Sequence, residues 1–249
     1  MKLFLHQLRG EQRLFWRSRE LAFFTFALPL ILFVLLGSVY GDNRIEGVSG
    51  WNYLLAGMLG YGAASTAFAG LSIVFVIRRE TKVLKRVRAT PLPAPAFIAA
   101  FLGSTLIVFA IEVVLMFGFG AIFFDVGFPR RLLSLVLALL LSALTFTALG
   151  LALTSIVHSA EGSSAVVNAV YLPMTFISGA FWSPQQYPEV LEKLADVLPL
   201  TYVIELAKDV LVGGSQIWDE PTSVGVIAAW GIVGLAITLR TFRWEPREG

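Results

Sequence analysis

Chemistry in an apolar chain needs clustered ionisable side chains, and this 249-residue sequence offers few. Its two histidines, His6 and His158, fall at the edges of apolar stretches, and no HExxH pairing exists. Cysteine is absent, which removes thiolate metal sites and disulfides without assigning a compartment. Glu112 is the one acid embedded in a long apolar run, and a lone carboxylate makes neither a two-acid mechanism nor a metal cage. No GxxxxGK[ST] phosphate loop occurs, so ATP and its magnesium are not expected on this chain, and no cofactor or metal site is. Nor does any feature point to nucleic acid.

The elements that would position these residues are set by composition. Hydrophobic residues make up 57% and charged residues 14%, with a mean hydropathy of +0.77, which excludes a soluble globule. A hydrocarbon core of about 30 Å requires about 20 apolar residues of helix. Six stretches meet or nearly meet that length: 21–40, 53–77, 96–119, 132–157, 164–182 and 222–239. Lipid would force each into a helix, because unpaired backbone groups are costly there. The first run is too long for a signal-peptide core and is read as a retained span. The expected fold is an all-α integral membrane protein with six transmembrane helices, forming one domain over 1–249.

Orientation follows from Lys and Arg. The N-terminal segment, the 78–95 connection and the tail together hold 14, against 5 in the other loops, which puts both termini in the cytoplasm. Five of the six tryptophans lie near predicted span ends, where indoles favour the interface.

Three segments lie outside the spans. Residues 1–20 read as an interfacial amphipathic helix, with Phe4, Leu5, Leu8, Phe15 and Trp16 on one arc and Lys2, Arg9, Arg13 and Arg17 on the next, or as a plain basic flank. Residues 78–91 read as a short charged cytoplasmic helix with Val83, Leu84 and Val87 on one side, stopped by Pro91. It is a topology signal, a lipid-attracting patch, or a docking surface for a soluble partner. The 183–214 loop contains two external amphipathic helices. The first begins at a capping box of Ser183 and Gln186, with Tyr187, Val190, Leu191, Leu194, Val197 and Leu198 at helical spacing. The second runs from about 201 to 212 and stops at Gly213-Gly214. They either dip into the outer leaflet, their joint shielded by protein, or form a surface cap.

Within the spans, Glu112 is a functional candidate or a protonated acid hydrogen-bonded to a neighbouring helix. Asn168 reads as interhelical glue. Glu112, Asn168, Thr175 and Ser178 form the candidate substrate path. Pro29 and Pro173 are expected to kink their helices, and Ala56, Gly60 and Ala64 offer a flat face for helix or subunit packing.

These features together resemble the membrane permeases of ABC type-2 exporters over essentially the whole chain. That family has a cytoplasmic pattern R-E-x-G-T-L-x-x-L-x-x-T-P-L. Here Arg79, Glu80, Leu84, Thr90, Pro91 and Leu92 match it, Val87 substitutes conservatively, and Lys82 and Val83 stand where the Gly and Thr would be. A second match joins Ile177-Ser178-Gly179-Ala180-Phe181-Trp182-Ser183-Pro184 to Leu198-Pro199-Leu200-Thr201-Tyr202. The resemblance implies a transmembrane half that pairs with a second permease subunit, as a homo- or heterodimer in the plasma (inner) membrane. It also implies docking of ABC nucleotide-binding subunits, which carry the ATP and magnesium, through Arg79, Glu80, Lys82, Leu84, Lys85, Val87, Thr90 and Pro91. Arg9, Arg13 and Arg17 would meet membrane lipid. The implied cargo is a drug, lipid or lipid-linked molecule leaving the cytoplasm or inner leaflet.

Two other classes compete. A proton-coupled secondary transporter would use Glu112 as its relay. A lipid-modifying enzyme lacks a catalytic cluster, so the chain is expected to be no enzyme.

Overall fold

The computed structural model describes residues 2–90, 92–124, 126–157 and 159–241. The order is α1 (Lys2–Arg17), α2 (Arg19–Tyr40), a hairpin of β1 (Arg44–Ile45) and β2 (Val48–Ser49), α3 (Gly50–Gly62), a π-helical stretch (Ala63–Gly70) and α4 (Leu71–Glu80). Then come α5 (Val83–Arg88), α6 (Ala94–Phe123), α7 (Leu132–Leu153), α8 (Ala160–Ile177), α9 (Glu189–Ala195), α10 (Pro199–Lys208) with a π-helical extension (Asp209–Gly213), and α11 (Pro221–Thr241). Among the described residues five helices are long and apolar enough to cross a membrane: Arg19–Tyr40, the continuous Gly50–Glu80, Pro95–Phe123, Leu132–Leu153 and Pro221–Thr241. The sixth expected stretch is α8, which is not one of these five. Its Glu161, Ser163, Ser164 and Asn168 dilute the apolar run, and it ends at Ile177 because Gly179 takes a left-handed φ of +87° that a helix cannot continue.

The 31-residue helix Gly50–Glu80 is the axis of the bundle, 72% buried against 22–50% for the other four. Small residues let its neighbours approach closely. A Cβ on Gly57 would fall 2.1 Å from the Ala180 carbonyl oxygen, and one on Gly60 2.6 Å from Ile204 Cγ1. Ala56, Gly60 and Ala64 are therefore covered within this chain, not offered to a second subunit. α7 and α11 are tied by Thr145 Oγ1 donating to the Ile227 carbonyl and Thr238 Oγ1 to the Ala148 carbonyl, each at 3.1 Å. Pro29 and Pro173 both lie inside continuous helices.

The bundle has two ends. The near end holds α1, α5 and the C-terminus of α7, and the far end holds the hairpin and residues 184–213. At the far end, Ser183 does not open a long helix. Pro188 holds Tyr187 extended (φ −85°, ψ 157°), so only a 3₁₀ turn forms over Pro184–Gln186 before α9 starts afresh at Glu189. Ser183 Oγ accepts from the Gln185 amide at 3.3 Å, and no capping box is made with Gln186. Of the expected apolar stripe, Val190, Leu191, Leu194 and Val197 are exposed.

Candidate functional site

At the near end, α4 stops at Glu80 and the chain turns through Lys82, whose left-handed φ of 60° starts α5 in a new direction. Arg79 is buried, and its guanidinium donates to the carbonyls of Thr154 at 2.9 Å and Val157 at 2.5 Å. Carbonyls at a helix C-terminus lack intrahelical donors and carry partial negative charge, so a buried Arg both satisfies them and complements the dipole. Arg79 Nε also pairs with Glu80 at 2.9 Å. Leu84 is completely buried among Leu71, Phe75, Phe97, Phe101 and Leu151. These contacts pin α5 to α4, α6 and α7 and leave Lys82, Val83, Lys85, Arg86 and Thr90 facing out.

The expected docking set therefore divides. Arg79, Glu80 and Leu84 hold the short helix from within and are not its outward surface, while Val87 is half-buried. Val83 does not share a side with Leu84: neighbours in a helix point about 100° apart, and Val83 is exposed where Leu84 is buried. Pro91 lies outside the described residues.

α1 rests on protein along one face. Gln12 Nε2 donates to Ser104 Oγ at 2.9 Å and to its carbonyl at 3.0 Å, while Phe4 and Leu8 pack on Gly103 of α6. Buried Glu11 pairs with Arg78 at 2.7 Å and accepts from Gln7 at 2.8 Å. Arg78 also lies 4.9 Å above the Phe101 ring. Arg9, Arg13 and Arg17 form an exposed stripe, as do Leu5 and Trp16, which the apolar arc had placed with Phe4. The inward face is set by polar Glu11 and Gln12, which an apolar count passes over. Above this ion pair a groove of about 350 Å³ lies between α2, the central helix and α6, lined by residues including Phe24, Leu28, Ala69, Ile73 and Val108.

The expected substrate-path residues do not share one cavity. Glu112 is buried against Gly62, accepting from Thr66 Oγ1 at 2.8 Å, and lines neither this groove nor the far-end cavity. Thr175 is buried and bonds to the Tyr171 carbonyl of its own helix. Asn168 is half-buried and bonds to Ser164 one turn earlier, and among the described residues it bonds to no second helix. Ser178 lines the far-end cavity of about 210 Å³, and the other three line neither it nor the groove.

The far end is built around a non-helical joint at 196–198, where three successive carbonyls, those of Ala195, Asp196 and Val197, each accept from a side chain. Thr201 Oγ1 donates to the Ala195 carbonyl at 2.7 Å, the Tyr202 hydroxyl to Asp196 at 2.8 Å, and Trp230 Nε1 to Val197 at 3.1 Å. Trp230 is nine residues into α11, about 14 Å along its axis. Glu46, with a left-handed φ of 50°, is held by Lys208 and by Ser183 Oγ at 2.5 Å, tying the hairpin to α10.

A profile of the ABC-2 type transporter family matches residues 2–212, from α1 into α10's extension. The chain belongs to that family. Relatives include YvfS of Bacillus subtilis, named as a transport permease, 23% identical over 88% of this chain and 90% of its own length. Nodulation protein J of Rhizobium meliloti is 24% identical over 92% and 91%. The inner membrane transport permease YadH of Escherichia coli is 24% identical over 72% and 70%. This ABC-2 permease is an all-α, multi-pass membrane protein and a transport subunit.

Sequence reasoning missed the Glu11–Arg78 pair and the Glu46–Lys208 tie. The first had a signal, since Glu11 is the one acid in α1 and interrupts its basic stripe. The second joins residues 162 apart, and no local pattern marks it.

Proposed function

We propose that this chain is the transmembrane permease subunit of an ATP-driven exporter, working as a dimer in the inner membrane with both termini cytoplasmic. Nucleotide-binding subunits, which hold ATP and magnesium, dock on Lys82, Val83, Lys85, Arg86 and Thr90. The observation that carries this reading is the mounting of α5: a six-residue helix fixed by Leu84 and Arg79 to three spans, with a basic face turned outward. A push on so short and rigid a lever moves α4, α6 and α7 together. α8 counts as a sixth span, placed against the buried axis. α9 and α10 form a re-entrant pair: the carbonyls of Ala195, Asp196 and Val197 at their joint are answered by Thr201, Tyr202 and Trp230, as backbone at membrane depth needs. The apolar groove above the Glu11–Arg78 pair suits an amphipathic cargo with its tail between the helices and its polar head at the near end. A proton relay through Glu112 is disfavoured by its enclosure against Gly62 and Thr66.

The cysteine-free sequence allows a direct test. A single Lys85→Cys should be labelled by an impermeant maleimide only from the cytoplasmic side. The double variant K85E/R86E should abolish co-purification with the nucleotide-binding subunit while the permease still inserts. Labelling from the outside, or full ATP-driven transport in K85E/R86E, refutes the reading. Glu112→Gln is expected to keep ATP-driven transport.

A further inference from the structure

The far-end cavity has a chemistry that neither packing nor the coupling lever uses. Glu46, Glu192, Asp196 and Glu205 line it with the single cation Lys208. Lys208 is matched by Glu46, which leaves three carboxylates. Among the described residues the side chains of Glu192, Asp196 and Glu205 make no hydrogen bond or ion pair. The floor is formed by Tyr53, Thr201, Ile204 and Ser178, all buried, and the mouth by exposed Gln185, Glu192 and Asp196.

Ser178 supplies the independent sign of a ligand. Its residue is 1% exposed, and its Oγ has no hydrogen-bond partner among the described residues. A buried hydroxyl without a partner costs free energy, and the neighbouring groups do not relieve it. The Tyr53 hydroxyl already donates to the Gly179 carbonyl at 3.0 Å, and Thr201 Oγ1 to the Ala195 carbonyl. An oxygen acceptor at the floor and carboxylates at half-depth and at the mouth are a donor's counterpart. The carboxylates are too dispersed for a metal ion: among the described residues no three Asp, Glu, His or Cys come together as ligands. A compact cation with several N–H donors fits, since each donor can reach a different oxygen. The volume of about 210 Å³ lies below the usual drug-sized range, so the ligand is small or is one end of a larger molecule.

We propose that this cavity is a binding site for a protonated primary amine, carried by a free small molecule or by a lipid headgroup. Glu205 and Ser178 contact the ammonium, and Glu192 and Asp196 attract it at the mouth. The site goes beyond the ATP-driven reading, because binding requires neither the nucleotide-binding subunit nor a particular orientation in the membrane.

The test uses the full chain in phosphatidylcholine nanodiscs, where both faces meet water, titrated with ethanolamine and followed by calorimetry. Saturable binding is expected, about tenfold weaker in Glu205→Gln and several-fold weaker in Ser178→Ala. Neither variant removes an internal hydrogen bond, so the thermal midpoint without amine should not fall, and loss of an unpaired hydroxyl or of a buried charge should raise it slightly. Choline chloride, which has no N–H donor, and potassium chloride should not reproduce the binding. Nanodiscs doped with phosphatidylethanolamine separate the sources: apparent ethanolamine affinity falls if the headgroup occupies the cavity and is unchanged if only the free amine does. Absence of saturable binding in phosphatidylcholine overturns the proposal. So does equal binding of potassium or choline, or an affinity untouched in both variants.

Discussion

The near and far ends of this ABC-2 permease handle polar groups in opposite ways. At the near end polar groups find partners inside: Arg79 on the carbonyls of Thr154 and Val157 just after α7, Glu11 on Arg78, Gln12 on Ser104. At the far end carboxylates are left around a cavity whose floor hydroxyl is unanswered. Satisfied networks are stiff and transmit displacement, whereas unsatisfied ones store affinity for something that arrives. The near end thus reads as machinery and the far end as recognition.

The comparison breaks most visibly at the machinery. Arg79→Ala strands the carbonyls of Thr154, which caps α7, and of Val157 beyond it, and is expected to cost about 3 kcal/mol, read as a lower thermal midpoint in detergent. Lys at this position should not rescue it, since an ammonium lacks the planar fork that reaches both carbonyls. Leu84→Ala empties a fully buried site and should cost about 2–4 kcal/mol, with proteolysis at α5 rising before the spans unfold. By contrast K85E/R86E, on the outward face of the same helix, should change stability by less than about 0.5 kcal/mol while removing coupling. Similar thermal midpoints for Leu84→Ala and K85E/R86E would erase the division between anchor and contact face.

At the far end, Trp230→Phe keeps the ring and removes one hydrogen bond to the Val197 carbonyl, a loss of about 1 kcal/mol if water cannot enter to replace it. An unchanged midpoint would mean that the joint is wet, and the re-entrant placement of α9 and α10 would lose its support.

The sequence made the apolar helices plain because lipid-length runs have few alternatives, and Pro91 with its basic neighbours marked where the short charged helix lies. It did not reveal which way the short charged helix faces. Over six residues a single left-handed residue at Lys82 rotates the pattern, so Leu84 reads equally as contact or anchor. Ala56 and Gly60 were legible as a close-packing face, but the partner is α10, about 140 residues later, and long-range pairing leaves no periodic trace. Helix α9 was drawn too long because apolar spacing continues through Tyr187, where Pro188 forbids the helix. The acidic cavity was invisible for the same reason as the Glu46 tie: its walls come from the hairpin, the turn after α8, α9 and α10.

The smallest expected effect separates packing from recognition by sign. Burial pushes the Glu205 and Asp209 carboxyls above their ordinary range. Lys208 opposes this for both; Glu46, Asp196 and Asp209 reinforce it at Glu205, and Glu46 and Glu220 at Asp209. A raised carboxyl binds its proton more tightly in the folded state than in the unfolded chain. Its ionisation therefore weakens the fold as pH rises through the folded value, and acidification removes that penalty. Lowering the pH from about 7.5 to about 5 should thus raise the thermal midpoint of the amine-free permease slightly through these two groups, and the gain should shrink in Glu205→Gln. Ethanolamine binding should move the other way, because protonating Glu205 deletes the charge that faces the ammonium. If acid instead strengthened amine binding, the carboxylates would be bystanders and the far end would differ from the near end only in packing.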